Sequence, residues 1–328
     1  MGAAHIWIVS PASAKANNGN WQTAKRWARF LRTRYRVTLT GQWPSNSDIQ
    51  DDPALLIALH ARRSAASLAA FAAANAQRPS ILLLTGTDLY RDISTDAEAQ
   101  ASLTTASALV LLQPAGLSEL SPALRTKATV IYQSAPTLLA SAGGPRRFLD
   151  ITLIGHLRAE KDPATFMRAA ALVTAPRVRM IHIGTALEPE LGRLAIATQE
   201  SSPCYRWLGP VPHGATRQRL KRSHLMVLTS LMEGGANVII EAITSGVPVI
   251  ASDIKGNRGM LGDDYAGYFP AGDAAALAGL IERSVSDPAF YRQLRTQCAV
   301  RAPLFAPAAE QAALLQLVDN LLHRNSSP

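Results

Sequence analysis

Leu225–Ser252 reads LMVLTSLMEGGANVIIEAITSGVPVIAS. An apolar run of strand length, Leu225–Thr229, gives way to a polar, glycine-rich turn, Met232-Glu233-Gly234-Gly235. A helical segment follows from about Ala236, Gly246 closes it, and Val247–Ala251 begins the next strand. Strand, helix and strand in under 30 residues make a right-handed βαβ unit with parallel strands. Ligands of such sheets bind beyond the carboxyl ends of the strands. The residues just after each strand are therefore the first place to look for function.

The same alternation runs outward in both directions. The first half offers strands at His5–Ser10, Arg36–Thr40, Leu55–His60, Ile81–Thr85, Leu109–Gln113 and Val130–Gln133, with helical stretches such as Trp21–Arg34 and Ser64–Ala74. Ser141–Arg147, SAGGPRR, reads as a linker. The pattern restarts with Ile151–Ile154, Met180–Gly184, Arg206–Leu208 and the two strands already quoted. The expected fold is α/β: two doubly wound Rossmann-like domains, residues 1–147 and 148–306, facing a central cleft. Residues 307–328, with a helix over Pro307–His323, are the candidate to pack back on the N-terminal domain.

A chain of 328 residues suits two domains better than one core. Hydrophobic residues make up 48% and charged residues 17%, a composition of packed protein and not of disorder. Cys204 and Cys298 are too few for a disulfide framework and read as reduced thiols of a cytoplasmic protein. The N-terminal MGAAHIWIVS lacks a basic leader and reads as a first strand. No apolar run approaches the roughly 18 residues of a membrane span. Residues 1–148 hold 15 Lys/Arg against 8 Asp/Glu and residues 149–328 hold 18 against 16, so the first half carries +7 of the net +9. Such a field attracts phosphates, nucleic acid or anionic membrane. The basic residues have no interleaved aromatic platform, which disfavours nucleic acid.

Glu233 and Glu241 are the carboxylates of the opening stretch. On one helix they would lie about 80° apart; the turn residues favour Glu233 on the loop and Glu241 on the helix. A loop carboxylate can accept hydrogen bonds from sugar hydroxyls, and a helix carboxylate can do the same for a ribose diol. The amides of Gly234, Gly235, Ala236 and Asn237 face a pyrophosphate. A second element, ITLIGHLRAEKDPATFMRAA from Ile151, ends a strand at Gly155 and carries Arg158 and Lys161 before Asp162-Pro163 caps a helix. Cations there can neutralise a departing diphosphate. There is no D-x-D after a strand and no ligand-spaced histidine pair, so no metal and no cofactor is expected.

The opening stretch resembles the retaining family-4 glycosyltransferases of the GT-B fold. The resemblance implies that Glu233 contacts the transferred sugar and Glu241 the ribose. Glu160-Lys161 fits the family's loop, whereas His156 stands where the family has arginine, so either Arg158 or His156 takes over the diphosphate contact. Gly184, Trp207 and Leu208 come over as nucleobase neighbours, mainly through backbone.

In the first half, NNGNWQTAKRWARFL places Gly19, Asn20 and Thr23 at the start of a basic helix, with Asn20 as its cap. LIALHARRS places His60, Arg62 and Arg63 after a strand, and LLLTGTDLYRD places Thr87, Asp88 and Arg91 after another. TGTD is similar to an HGTD segment of thiol-sugar synthases, with Thr85 in place of the histidine. Together with PHGATRQRL and NRGMLGDDYAGYFPAGD these segments resemble the selenosugar synthases of bacterial selenoneine biosynthesis. That resemblance implies a UDP-sugar donor, UDP-N-acetylglucosamine foremost, and selenophosphate as acceptor. Selenium attacks the anomeric carbon, UDP leaves, and loss of phosphate gives a 1-selenosugar. Catalytic roles fall to Arg158, Lys161 and Glu233, and acceptor contacts to Gly19, Asn20, Thr23, His60, Arg62, Thr87, Asp88 and Arg91. The rival readings are a peripheral-membrane glycosyltransferase acting on a lipid, docked by Lys25–Arg34, and a non-catalytic nucleotide-sugar-binding regulator.

Overall fold

A computed structural model describes residues 3–11, 19–44, 53–139 and 147–324. The expected linker, Ser141–Arg147, lies outside the described residues except for Arg147. The chain divides into two compact units, residues 1–133 with 307–328, and residues 134–306.

The first unit holds a six-stranded sheet in the order β2-β1-β3-β4-β5-β6, all parallel: β1 His5–Val9, β2 Arg36–Thr40, β3 Leu55–Leu59, β4 Ser80–Leu83, β5 Ala108–Leu111 and β6 Ala128–Val130. Its principal helices are α1 Gly19–Leu31, α2 Ala65–Ala74 and α3 Ala97–Thr105, with α11 Pro307–Arg324 from the end of the chain. Every residue of β1, β3, β4 and β5 is buried, because helices cover both faces. The period-2 alternation of a strand divides that core in two. Ile6 and Ile8 point to the layer of Trp27, Leu31, Leu314 and Val318. Trp7 and Val9 point to that of Leu68, Phe71 and Leu103. Glu310 fixes α11 to α1: it is 2% exposed, accepts from Trp27 Nε1 at 2.8 Å and pairs with Arg26 Nε at 2.7 Å.

The second unit repeats the architecture in the order β12-β11-β10-β7-β8-β9, again all parallel. Its strands are β7 Leu149–Ile154, β8 Val178–Ile183, β9 Tyr205–Trp207, β10 Leu225–Leu228, β11 Val249–Ser252 and β12 Tyr268–Phe269. Helices α4 Pro163–Ala170, α5 Pro189–Ser201, α6 His213–Leu220, α7 Asn237–Ile243, α8 Lys255–Leu261, α9 Ala274–Ser286 and α10 Pro288–Arg301 surround it. Counted from β7, this is the 3-2-1-4-5-6 order of a dinucleotide-binding sheet. The strand order reverses between β7 and β10, which makes their carboxyl ends the favoured ligand position.

Several boundaries depart from the sequence reading. Helix α1 already runs at Gly19, so Asn20 is its second residue and not its cap. Strand β6 ends at Val130 and β5 at Leu111, earlier than expected, because the apolar residues beyond them pack as loop. Strand β11 begins at Val249, after Pro248, which has no N–H for a ladder. The two-residue β12 carries too short an apolar pattern to be seen in the sequence.

Candidate active site

The loops after β7 and β10 meet at the reversal point of the second sheet. Glu233 is 7% exposed and lies on the β10–α7 loop, four residues before the helix that carries Glu241. Its Oε1 pairs with the Lys161 ammonium, at the end of the β7 loop, and accepts from Ser230 Oγ at 2.6 Å. A buried carboxylate is tolerated only when paired in this way. The backbone supports the pair from both loops: Thr229 Oγ1 donates to Lys161 O at 2.8 Å, and Leu231 N to Glu160 O at 2.9 Å.

Behind Glu233 stands a buried polar chain. Ser252 Oγ donates to Ser230 O at 2.5 Å, and Asn257 Nδ2 donates to Ser252 O at 2.9 Å. Gly256 lets α8 approach, since a Cβ there would lie 1.9 Å from Glu233 O. Ser230, Ser252, Gly256 and Asn257 were not legible as site residues in the sequence, because nothing in one-dimensional spacing connects α8 to Glu233.

Gly155 and Gly184 end β7 and β8 in close contact; a Cβ on Gly184 would meet Gly155 O at 1.9 Å. Trp207 Nε1 donates to Gly184 O at 2.9 Å, so the indole fixes this loop pair. Leu208 is 38% exposed beside it. His156 accepts from Thr185 N at Nδ1, 3.2 Å away, which places the neutral ring's proton on Nε2. Burial, then the charges of Arg158 and Lys161, push the His156 pKa down, and the ring stays neutral. The Arg158 Nε is buried without a hydrogen-bond partner and lies 4.0 Å from Glu160. Asp162 caps α4, accepting from Thr165 N at 3.3 Å, with Pro163 in the first turn.

Gly234, Gly235 and Ala236 lead into α7, which starts at Asn237 without a side-chain cap. Glu241, one turn further on, is half-buried, and its Oε1 lies 2.6 Å from His213 Nε2 at the first residue of α6. His213 lies in PHGATRQRL, where the sequence gave no role to any single residue; a Pro-His step opening a helix is the only local signal. Among the described residues no group of three or more His, Cys, Asp or Glu side chains is placed to hold a metal ion.

The first unit gathers its own cluster beyond β3 and β4. His60 adopts a left-handed backbone, φ 75°, and is 1% exposed. Its Nδ1 accepts from Arg63 N at 3.4 Å, and its Nε2 lies 3.1 Å from Thr87 Oγ1. Burial, the largest influence, lowers the His60 pKa, opposed by Asp88 and Asp92. Asp92 pairs with Arg62 Nε at 3.1 Å and Arg91 Nε at 3.2 Å, and both guanidinium groups are exposed. Asp88 is fully buried, accepting from Ala61 N, Thr85 N and Thr85 Oγ1 at 2.9, 2.9 and 2.6 Å. Its oxygens fasten the two loops together. Thr23 is likewise buried, donating to Gly19 O at 2.8 Å and accepting from Gln133 Nε2. Gly19 and Asn20 keep exposure at the start of α1. Arg62, Thr87 and Arg91 thus stand together at the strand ends, with His60 beneath them, while Thr23 and Asp88 are tied into the fold.

The fold has counterparts among solved structures. Sucrose-phosphate synthase from Thermosynechococcus elongatus superposes with a TM-score of 0.78 at 16% identity, covering 98% of this chain and 100% of that one. Anabaena HepE in complex with UDP-glucose gives 0.76 at 16% identity, covering 97% and 100%. The fold is GT-B. Residues 143–302 match the family model Glycosyl transferases group 1, a stretch that contains Lys161, Glu233 and Glu241. Two curated proteins share 31% identity over shorter stretches. Glycosyltransferase 1 domain-containing protein 1 of Xenopus tropicalis aligns over 117 residues, 35% of this chain and 34% of that protein. The amylovoran biosynthesis glycosyltransferase AmsK of Erwinia amylovora aligns over 104 residues, 30% and 25%. The matched stretches therefore span about a third and a quarter of the length of those relatives. Most of the second unit is thus similar to glycosyl transferases group 1.

Proposed function

We propose that this protein is a hexosyltransferase that forms a carbon–selenium bond, using a UDP-sugar, UDP-N-acetylglucosamine foremost, as donor and selenophosphate as acceptor. The observation that carries the donor half is the Lys161–Glu233 pair at the strand-order reversal, with Gly234-Gly235 and an uncapped helix start beside it. HepE binds UDP-glucose on the same fold, which supports a uridine diphosphate donor here. The selenium rests on the resemblance of segments along nearly the whole chain.

In this reading Glu233 receives the sugar hydroxyls and Glu241 the ribose diol. Lys161 and Arg158 stabilise the departing UDP; the guanidinium of Arg158, charged beside the neutral His156 ring, supports it over His156 as the charged contact. The neutral His156 Nε2–H supplements it as a donor. The selenium lone pair attacks the anomeric carbon as the bond to the UDP oxygen breaks. Water then cleaves the selenium–phosphorus bond, giving a 1-selenosugar and inorganic phosphate. Selenophosphate is already an anionic nucleophile. The acceptor needs the cations Arg62 and Arg91 and the donor Thr87 more than a general base, and no metal takes part.

UDP release from the donor tests this. The expected result, in the presence of chelator, is release that accelerates when selenophosphate is added. Release that stops with chelator and returns with Mg²⁺ would remove the metal-free mechanism. Release that ignores selenophosphate would point to another acceptor, and UDP-sugar binding without turnover to a regulator.

A further inference from the structure

We propose that His213 is a positioning residue for the donor: it aims Glu241 at the ribose diol and makes donor affinity depend on pH. This rests on the assignment of Glu241 to the ribose in the preceding section.

The two helices concerned are clamped at two points in matching register. On α6, His213 and Arg217 are four residues apart and share one face. On α7 and its end, Thr244 and Ser245 follow Glu241 by three and four residues. His213 Nε2 lies 2.6 Å from Glu241 Oε1. Arg217 is 8% exposed and donates from its outer nitrogen to Pro136 O at 2.9 Å and to Thr244 Oγ1 and Ser245 Oγ, each at 3.4 Å. Arg217 thus anchors the far end of the pair, and His213 takes up the one α7 carboxylate.

A carboxylate on a helix rotates about three side-chain bonds, and freezing them costs free energy when a ligand binds. A diol is best held by both oxygens of one carboxylate with its plane fixed. A bond to Oε1 from one side fixes that plane and leaves Oε2 and the second lone pair of Oε1 for the ribose.

The groups facing His213 are Glu241 on α7 and Arg217 on its own helix. The Glu241 hydrogen bond raises the His213 pKa above its usual 6.5; burial and Arg217 oppose this, and the net shift is upward. The imidazolium–carboxylate pair therefore persists to higher pH than it would with a free histidine. It loses its charge as pH rises through the raised value, and donor affinity falls with it.

Calorimetric binding of UDP to the full chain tests the proposal, with His213→Ala, His213→Gln and Glu241→Ala alongside. Loss of a charge-assisted hydrogen bond to a ligand-binding group predicts about tenfold weaker UDP binding in H213A, with kcat at saturating donor nearly unchanged. H213Q keeps a neutral donor and falls in between. The ratio of the wild-type to the H213Q dissociation constant climbs from pH 6 to 9, a comparison that cancels the titration of UDP itself. UDP lacking the ribose 2′- and 3′-hydroxyls binds wild type and H213A alike. If E241A weakens UDP binding and H213A and H213Q do not, the positioning role is wrong and the ribose assignment stands. If E241A leaves UDP binding unchanged, the ribose assignment fails and takes this inference with it.

Discussion

The chemistry concentrates in a few side chains whose neighbours constrain them tightly. Lys161 has two tasks, neutralising the buried Glu233 and, in the proposed reaction, the departing diphosphate. Lys161→Met leaves a carboxylate buried without its cation and removes a charge that acts where negative charge develops. Turnover should fall by about 10²-fold or more, read as kcat with saturating donor. Glu233→Gln keeps the shape and the Ser230 contact, and should lose turnover while retaining UDP affinity. Gly256→Ala reaches the same site from α8: the new Cβ would stand 1.9 Å from Glu233 O, a backbone clash that no rotamer relieves. Transfer should fall sharply with an unchanged far-ultraviolet circular dichroism spectrum, and full activity in G256A would show that the loop gives way. His213 also sets a sign for stability. Its pKa is raised on folding, so its contribution is complete below the unfolded value and is lost as pH rises through the folded one. His213→Gln should flatten that part of the thermal stability profile. Glu233 and Glu241 were visible in the sequence because the Gly234-Gly235 pair and a Gly-Val-Pro-Val step accompany them. Ser230, Asn257 and His213 were not, since contacts across helices carry no fixed spacing.

At the scale of elements, the strand-and-helix alternation was legible almost throughout because parallel strands buried on both faces read as short apolar runs. It failed where that signal is weakest, at the two-residue β12 and at the ends of β5 and β6, where apolar residues continue into loops. The basic helix is informative for a different reason. Lys25 and Arg29 face outward on α1 and Arg32 just beyond its end, while Ala24, Trp27, Ala28 and Leu31 are consumed by the core. A helix that lies in a bilayer interface needs its apolar face free. Flotation with anionic vesicles should leave this protein behind, and its recovery in the lipid fraction would revive a lipid acceptor. The last helix has its own test. Glu310→Ala strips the buried partner from Arg26 and Trp27 and should cost about 3–5 kcal/mol, seen as a lowered urea midpoint of the first unit. A shift under about 1 kcal/mol, the range of an exposed pair, would mean that α11 is held by its apolar contacts alone.

Across the whole molecule, two parallel sheets differ in strand order: the second has the 3-2-1-4-5-6 order of sheets that bind nucleotides at the reversal point, and the net charge divides about evenly, +4 on residues 1–133 with 307–328 and +5 on residues 134–306. Structural likeness over 97–98% of the chain comes with only 16% identity in the two solved structures compared, and one fold hosts many acceptors. The fold therefore does not name the acceptor, and the proposed reaction reads it from side chains such as Arg62 and Arg91. Among the described residues no helix is long and apolar enough to cross a membrane. The formation of a carbon–selenium bond is tested most directly by mass spectrometry of the product. The protein is incubated with UDP-N-acetylglucosamine and selenophosphate in chelator under reducing, oxygen-free conditions. The account predicts a species with the selenium isotope pattern and the mass of a 1-seleno-N-acetylhexosamine, formed in step with UDP and phosphate. UDP-sugar turnover that yields only free sugar or an oxygen-linked product, with selenophosphate unconsumed, would contradict it.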